Sequence, residues 1–107
     1  MYIAGQVGWE PDGRFATDDF VEQFARALDN VLDVVRAAGG LPSDVVKMTI
    51  YVTCLDTYRE GRAAIGDIWR SRMGAHYPAM ALFQVAGLLE PRALVEIEAI
   101  ACLPEEP

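Results

Sequence analysis

"DVVKMTIYVTC", residues 44–54, is the stretch on which the fold turns. Val46, Met48, Ile50 and Val52 alternate with Lys47, Thr49, Tyr51 and Thr53. Successive side chains of a strand point to opposite faces, so this period of two, rich in β-branched residues, predicts a half-buried strand. A different period precedes it. Phe20, Phe24, Leu28, Val31 and Val35 recur at steps of three and four, the spacing of one buried helix face. Thr17 or Asp19 can cap that helix, Asp19 with Glu22 makes a capping-box-like pair, and Gly39-Gly40 ends it. A second helix is expected after the strand, capped by Asp56, with Tyr58, Ile65, Ile68, Trp69 and Met73 buried and Gly74 closing it. Gly61 and Gly66 weaken this helix by about 1 kcal/mol each relative to Ala and permit close packing.

Three further strands complete the pattern. "MYIAGQVGW" reads as the first, with Gly5 and Gly8 pointing to a bulge or a close backbone approach. "EPDGRF" is a turn built on Pro11 and Asp12-Gly13. "AMALFQVAGL" and "RALVEIEAIACL" follow, joined through "LLEPR". Within "ALVEIEAIA", residues 93–101, Glu96 and Glu98 are two apart and so share one face, opposite Val95, Ile97, Ala99 and Ala101. The order β, α, β, α, β, β predicts an α+β fold, one sheet covered on one face by two helices. The other sheet face is expected to stay bare and to carry many apolar residues on the first, second and fourth strands, which predicts association of copies.

The 107 residues suffice for one domain, expected over residues 1–103 with 104–107 as a frayed tail. A hydrophobic share of 52 % and a charged share of 23 % are those of a globular chain. No apolar run approaches ~18 residues, so no membrane span is expected. The opening residues lack the basic and apolar regions of a signal peptide. Sixteen acidic against nine basic residues leave a net charge of −7. Without a Lys/Arg cluster, that field repels phosphate backbones and argues against nucleic acid as a partner. Cys54, Cys102 and His76 form neither a CxxC nor an HExxH pattern, so no metal site is expected. Both thiols are expected to act as small buried hydrophobes in a reducing, cytoplasmic compartment.

"YIAGQVG", "ALDNVLDVVRAAGG", "DVVKMTIYVT", "YPAMALFQV" and "VEIEAIA" occur in that order and span nearly the whole chain. Together they resemble the Rid family, the reactive intermediate deaminases, also called the YjgF family. The resemblance implies a chorismate-mutase-like single mixed sheet and a homotrimer whose three sheets face inward around a central barrel. That assembly would cover the bare sheet face. It also implies sites in clefts between subunits, where enamines or imines are hydrolysed with release of ammonia, without a metal or organic cofactor. By position, Glu96 matches the family's glutamate that positions or activates water, and Gly5 and Gln6 match the strand that lines the cleft.

The chain departs from the pattern at several positions. Where imine-deaminating members carry an arginine that clamps the substrate carboxylate, this chain has Met80. Leu82 stands where many members have cysteine, and Ala4 where many have serine. The strand that in many members precedes this one, often contributing a tyrosine, has no match, since the sequence begins at "MYIAGQ". Met80, Ala81 and Leu82 are therefore expected to form an apolar substrate-binding segment. It suits a small apolar imine or enamine better than a simple 2-imino acid. The alternative is a non-catalytic homotrimer that binds small molecules or acts like a chaperone. Endoribonuclease activity, a label some relatives carry, is disfavoured by the acidic charge. Arg92 and Arg14 are candidates to replace the clamp from across a subunit boundary, against a default role on the surface. Glu98 is expected to be a solvated or interface acid, His76 to sit in an exposed loop, and Trp9 and Tyr2 to pack at an interface.

Overall fold

The period-two stretch is strand β2 (Val45–Val52), and it runs inside a four-stranded sheet. The computed structural model describes residues 1–105; the end of the tail expected over 104–107 lies outside the described residues. Around β2 the chain forms β1 (Tyr2–Val7), α1 (Phe20–Ala37), a 3-10 turn (Pro42–Asp44), α2 (Leu55–Glu60), α3 (Arg62–Met73), β3 (Ala79–Gln84) and β4 (Val95–Ala101). The strand order is β1-β4-β2-β3. β4 is antiparallel to both β1 and β2, whereas β3 lies parallel to β2 after the α2–α3 crossover. This is the mixed α+β sheet expected, with the helices on one face.

Residues paired across a sheet share a face. Met48 pairs with Ala99 and with Met80, Ile50 with Ile97 and Leu82, and Val52 with Val95 and Gln84. The members of this set on β2 and β4 are buried against the helices. α1 contributes Phe24, Leu28, Val31, Leu32 and Val35, all of them at most 1 % exposed. Each such side chain contributes about 1.5–3 kcal/mol by leaving water.

Two local expectations need correction. Val45, not Val46, is the buried residue at the start of β2, because the register slips between Val45 and Lys47 and leaves Val46 43 % exposed. One extra residue in one strand is a bulge, which interrupts simple alternation. The second helix is in fact two. Cys54 occupies the N-cap of α2 with no side-chain capping bond, and Asp56 lies in the first turn, 3.4 Å from Arg59. Gly61 ends α2 and begins α3, and a Cβ there would stand 3.1 Å from Val21 Cγ2.

α1 starts and ends as its sequence dictates. Asp19 is the N-cap and its Oδ2 accepts from the Glu22 amide at 3.0 Å. Gly39, at φ 86°, supplies the left-handed turn that follows the helix.

The open face of the sheet is more polar than expected. It presents Lys47, Thr49 and Tyr51 from β2, Glu96, Glu98 and Ile100 from β4, and Ala79, Ala81 and Phe83 from β3. Tyr2, paired with Ile100, adds a ring that is 86 % exposed. Among the described residues no helix is long and apolar enough to cross a membrane.

One buried amide fastens the layers. Gln23 on α1 is fully buried. Its Nε2 donates to the carbonyls of Thr17 and Arg92, each at 3.0 Å, and its Oε1 accepts from the Leu94 amide at 2.9 Å. Replacing it with an apolar residue of similar size leaves three backbone groups without partners, and an unsatisfied buried polar group costs about 1–3 kcal/mol. Gln23→Leu is expected to lower stability by about 2–4 kcal/mol, read as a shift of the urea midpoint at unchanged slope. An unchanged midpoint would show that these bonds do not hold the β4 approach.

Candidate functional site

β4 delivers Glu96 to the open face, half buried, and β1 delivers Gly5 beside it. The register between β1 and β4 shifts between Ile3 and Gln6, so a bulge surrounds Gly5. A Cβ on Gly5 would lie 2.8 Å from Glu96 Cδ and 3.0 Å from its Cγ. The glycine is therefore required for the carboxylate to lie where it does. Gln6 follows the bulge, opposite Ile97, with its Nε2 3.2 Å from the Ala4 carbonyl. Gly5 and Glu96 thus come together, whereas the Gln6 side chain, opposite Ile97 and lining a hollow with Asn30 and Asp33 of α1, lies on the helix side.

Met80, Ala81 and Leu82 do not join them within one chain. They stand on β3, separated from β4 by β2, a displacement of about 10 Å at the usual strand spacing. Met80 and Leu82 also point to the helix side, whereas Glu96 points away from it. Ala81, paired with Thr49, shares the open face.

Each sheet face carries a concavity. On the open face a hollow of about 400 Å³ is lined by Tyr2, Ala4, Lys47, Thr49, Glu98 and Ile100. Beside it Tyr51 donates to Glu98 Oε1 at 2.7 Å. The hydrogen bond to the Glu98 carboxylate, helped by partial desolvation and by the charges of Glu98 and Glu96, raises the Tyr51 phenol above its ordinary 10.0. Glu98 is thus an acid with a partner on its own sheet.

On the helix side a groove of about 190 Å³ runs between α2–α3 and the β3 edge. Met80 lines it together with Tyr58, Arg62, Trp69 and Tyr77. The Trp69 and Tyr77 rings stack at 5.9 Å and 13°, and Trp69 Nε1 donates to the His76 carbonyl at 3.1 Å. His76 is not the exposed loop residue expected: its Nε2 is 2.7 Å from the Val45 carbonyl. Arg62 and Tyr77 are groove residues that sequence reasoning did not single out; Tyr58 and Trp69, expected in the buried stripe of the second helix, line the groove as well. The available signal was spacing, since Tyr58, Arg62, Ile65 and Trp69 follow one another at steps of four, three and four, placing an arginine in an apolar stripe.

The other candidates have different fates. Arg92 is engaged with Asp18 at 2.7 Å and the Phe15 carbonyl at 3.1 Å, and it lies 5.7 Å above the Phe15 ring. Arg14 is exposed in the turn after β1. Trp9 tilts against Phe15 at 6.5 Å. Cys54 and Cys102 are both exposed, not buried as expected, because each stands just past a strand end. The Thr57 side chain and amide hydrogen-bond the Cys54 sulfur and lower its pKa from the ordinary 9.0. Among the described residues no three His, Cys, Asp or Glu side chains cluster to hold a metal ion.

A mixed sheet in the order β1-β4-β2-β3, with helices on one face and a glutamate lying against a glycine bulge on the other, defines a class of small α+β proteins. Within that class the chain belongs to the Endoribonuclease L-PSP family, the Rid or YjgF family, whose model matches residues 1–103. The 2-iminobutanoate/2-iminopropanoate deaminase of goat (Capra hircus) is 35 % identical over 103 residues, 94 % of this chain and 71 % of the relative. The mouse (Mus musculus) protein of the same name is 36 % identical over 94 % of this chain and 72 % of its own length. Among solved structures, a Rid-family protein of Yersinia pestis superposes with a TM-score of 0.84 at 37 % identity, over 96 % of this chain and 77 % of that one. The YjgF gene product of E. coli gives 0.82 at 33 % identity, over 94 % and 77 %.

The Tyr51–Glu98 bond has a measurable consequence. Because the phenol is held neutral by donating to Glu98, its contribution to stability is present below the unfolded pKa and is lost as pH rises through the raised folded value. In an ultraviolet difference titration of the folded protein, with Tyr51→Phe as the reference, the Tyr51 phenol is expected to ionise above 10.0. Glu98→Ala is expected to bring it down; an unmoved titration would mean the two groups do not interact in solution.

Proposed function

We propose that this chain is an imine or enamine hydrolase of the Rid type, with Glu96 as the group that handles water. The observation that carries the reading is the lodging of the Glu96 carboxylate against Gly5, where any side chain would displace it. A carboxylate held half buried beside backbone can take a proton from water as the oxygen adds to a C=N carbon. The adduct is a carbinolamine. Returning the proton to nitrogen and breaking the C–N bond releases ammonia and leaves a carbonyl, so that one imine and one water give one carbonyl compound and one ammonia. The deaminase names of the goat and mouse relatives support the same chemistry. Glu96 and Gly5, with the β1 backbone at Gln6, form one wall of the site.

The opposite wall is provided, in this reading, by Met80, Ala81 and Leu82 of a second copy. One chain alone holds Glu96 on one side of its sheet and Met80 and Leu82 on the other. A homotrimer with clefts between subunits unites them, with residues 1–103 as the working unit. Sedimentation velocity at micromolar concentration is expected to give three times the chain mass. The two exposed thiols favour a reducing, cytoplasmic setting.

A second reading, a non-catalytic homotrimer that binds small apolar molecules, draws on Met80, which leaves 44 % of an apolar side chain exposed at the groove. Endoribonuclease action draws no support from a chain of net charge −7.

Imines generated in situ from a panel of amino acids by an amino-acid oxidase separate these readings. Wild type is expected to accelerate the loss of at least one imine over buffer. Glu96→Ala is expected to reduce kcat by about 10²-fold or more, the usual contribution of general acid–base groups. A panel in which wild type matches buffer throughout would remove the hydrolase reading.

A further inference from the structure

The groove between α3 and β3 is apolar except for one charge. Tyr58, Trp69, Tyr77 and Met80 supply its walls, and Gly66 leaves one side without a side chain. Arg62, in the first turn of α3, is the basic residue that lines it. Five other arginines are committed to acids: Arg26 to Glu10, Arg59 to Asp56, Arg70 to Asp67, Arg72 to Asp29 and Arg92 to Asp18. Among the described residues Arg62 has no ion pair of this kind. In a chain of net charge −7, an uncommitted guanidinium beside stacked aromatic rings is a local exception to the field around it.

We propose that Arg62 binds the carboxylate of a small apolar acid whose hydrocarbon part lies against Tyr58, Trp69 and Met80. The chemistry of the groove selects the class. A planar guanidinium pairs with a planar carboxylate through two parallel hydrogen bonds, and Arg62, exposed at the edge of the groove, is open to such a partner. A single positive charge matches a single negative one, and about 190 Å³ suits a molecule of amino-acid size. Neither Arg92, held by Asp18 and Phe15, nor Arg14, in the turn after β1, lines this groove. For the reacting group the proposal rests on the imine-hydrolase reading. Combined with it, Arg62 makes the substrate the imine or enamine of an amino acid with an apolar side chain, carboxylate included.

Two measurements test this. The first is binding of 3-phenylpropanoate against 3-phenylpropanamide by isothermal titration. Wild type is expected to prefer the acid by at least ~10-fold, the scale of one charge-assisted bidentate contact. Arg62→Ala is expected to bring the acid down to the affinity of the amide, and Arg62→Lys to keep part of the preference. An acid that wild type does not bind, or a preference that survives Arg62→Ala, overturns the assignment. The second is turnover of carboxylate-bearing imines, where Arg62→Ala is expected to raise KM by ~10-fold or more with a smaller effect on kcat. Turnover lost in Glu96→Ala yet indifferent to Arg62→Ala overturns the Arg62 assignment and leaves the hydrolase reading in place. Carboxylate selection by Arg62 without turnover of any imine supports the assignment and removes the hydrolase reading.

Discussion

The register of β4 is the constraint on which the rest of the structure depends. β4 lies between β1 and β2, so a one-residue slip would affect two ladders at once. Such a slip would turn Val95, Ile97, Ala99 and Ala101 outward and bring Glu96 and Glu98 into the core. The buried amide of Gln23 opposes it from outside the sheet. By holding the Arg92 carbonyl and the Leu94 amide, Gln23 sets where the chain enters β4. Gly8 packs against the backbone of the same residue, since a Cβ there would lie 2.8 Å from Gln23 Cα. The ends of β1 and β4 are thereby referred to one point on α1, and the meeting of Gly5 with Glu96 follows from that shared reference.

Strong periodicity made much of this legible. The helix α1 could be delimited because Asp19, the apolar stripe and Gly39 all say the same thing about its ends. β2 and β4 could be assigned because alternation over seven or eight residues has no helical counterpart. Gly5 and Gly8 were readable as sites of close approach, and both are. What periodicity could not show was anything that depends on a third element. The bulge at Val46 is set by the partner strand. The break at Gly61 arises where Val21 of α1 crowds the junction of α2 and α3. Cys54 and Cys102 were misplaced because their burial depends on where a strand stops, not on the preference of a thiol.

The candidate site divides along the same line. Glu96 and Glu98 share a face, as their spacing requires, and their surroundings then separate them: one lies against a glycine, the other accepts from Tyr51. Pairing across the sheet shows that Met80 and Glu96 point in opposite directions, a relation invisible without the β2–β3 register. Arg62 was hidden for another reason. A charged residue within an apolar stripe is usually read as a solvated interruption, and only the groove beside it gives that position a meaning.

β4 is also the last strand of the sheet to leave the ribosome. An emerging chain that ends before it holds β1 and β2 with no strand between them, and each has a ladder edge with nothing to pair. Helical segments such as α1 can form from local contacts in that interval, but the sheet must wait for residues near Ala101 to pair with Val45 and with the main chain of Met1. Loss of a few residues at this end would thus act on the middle of the sheet and not on its margin. Premature termination near residue 95 would leave a translation product that exposes two β edges, a substrate for chaperones and proteases.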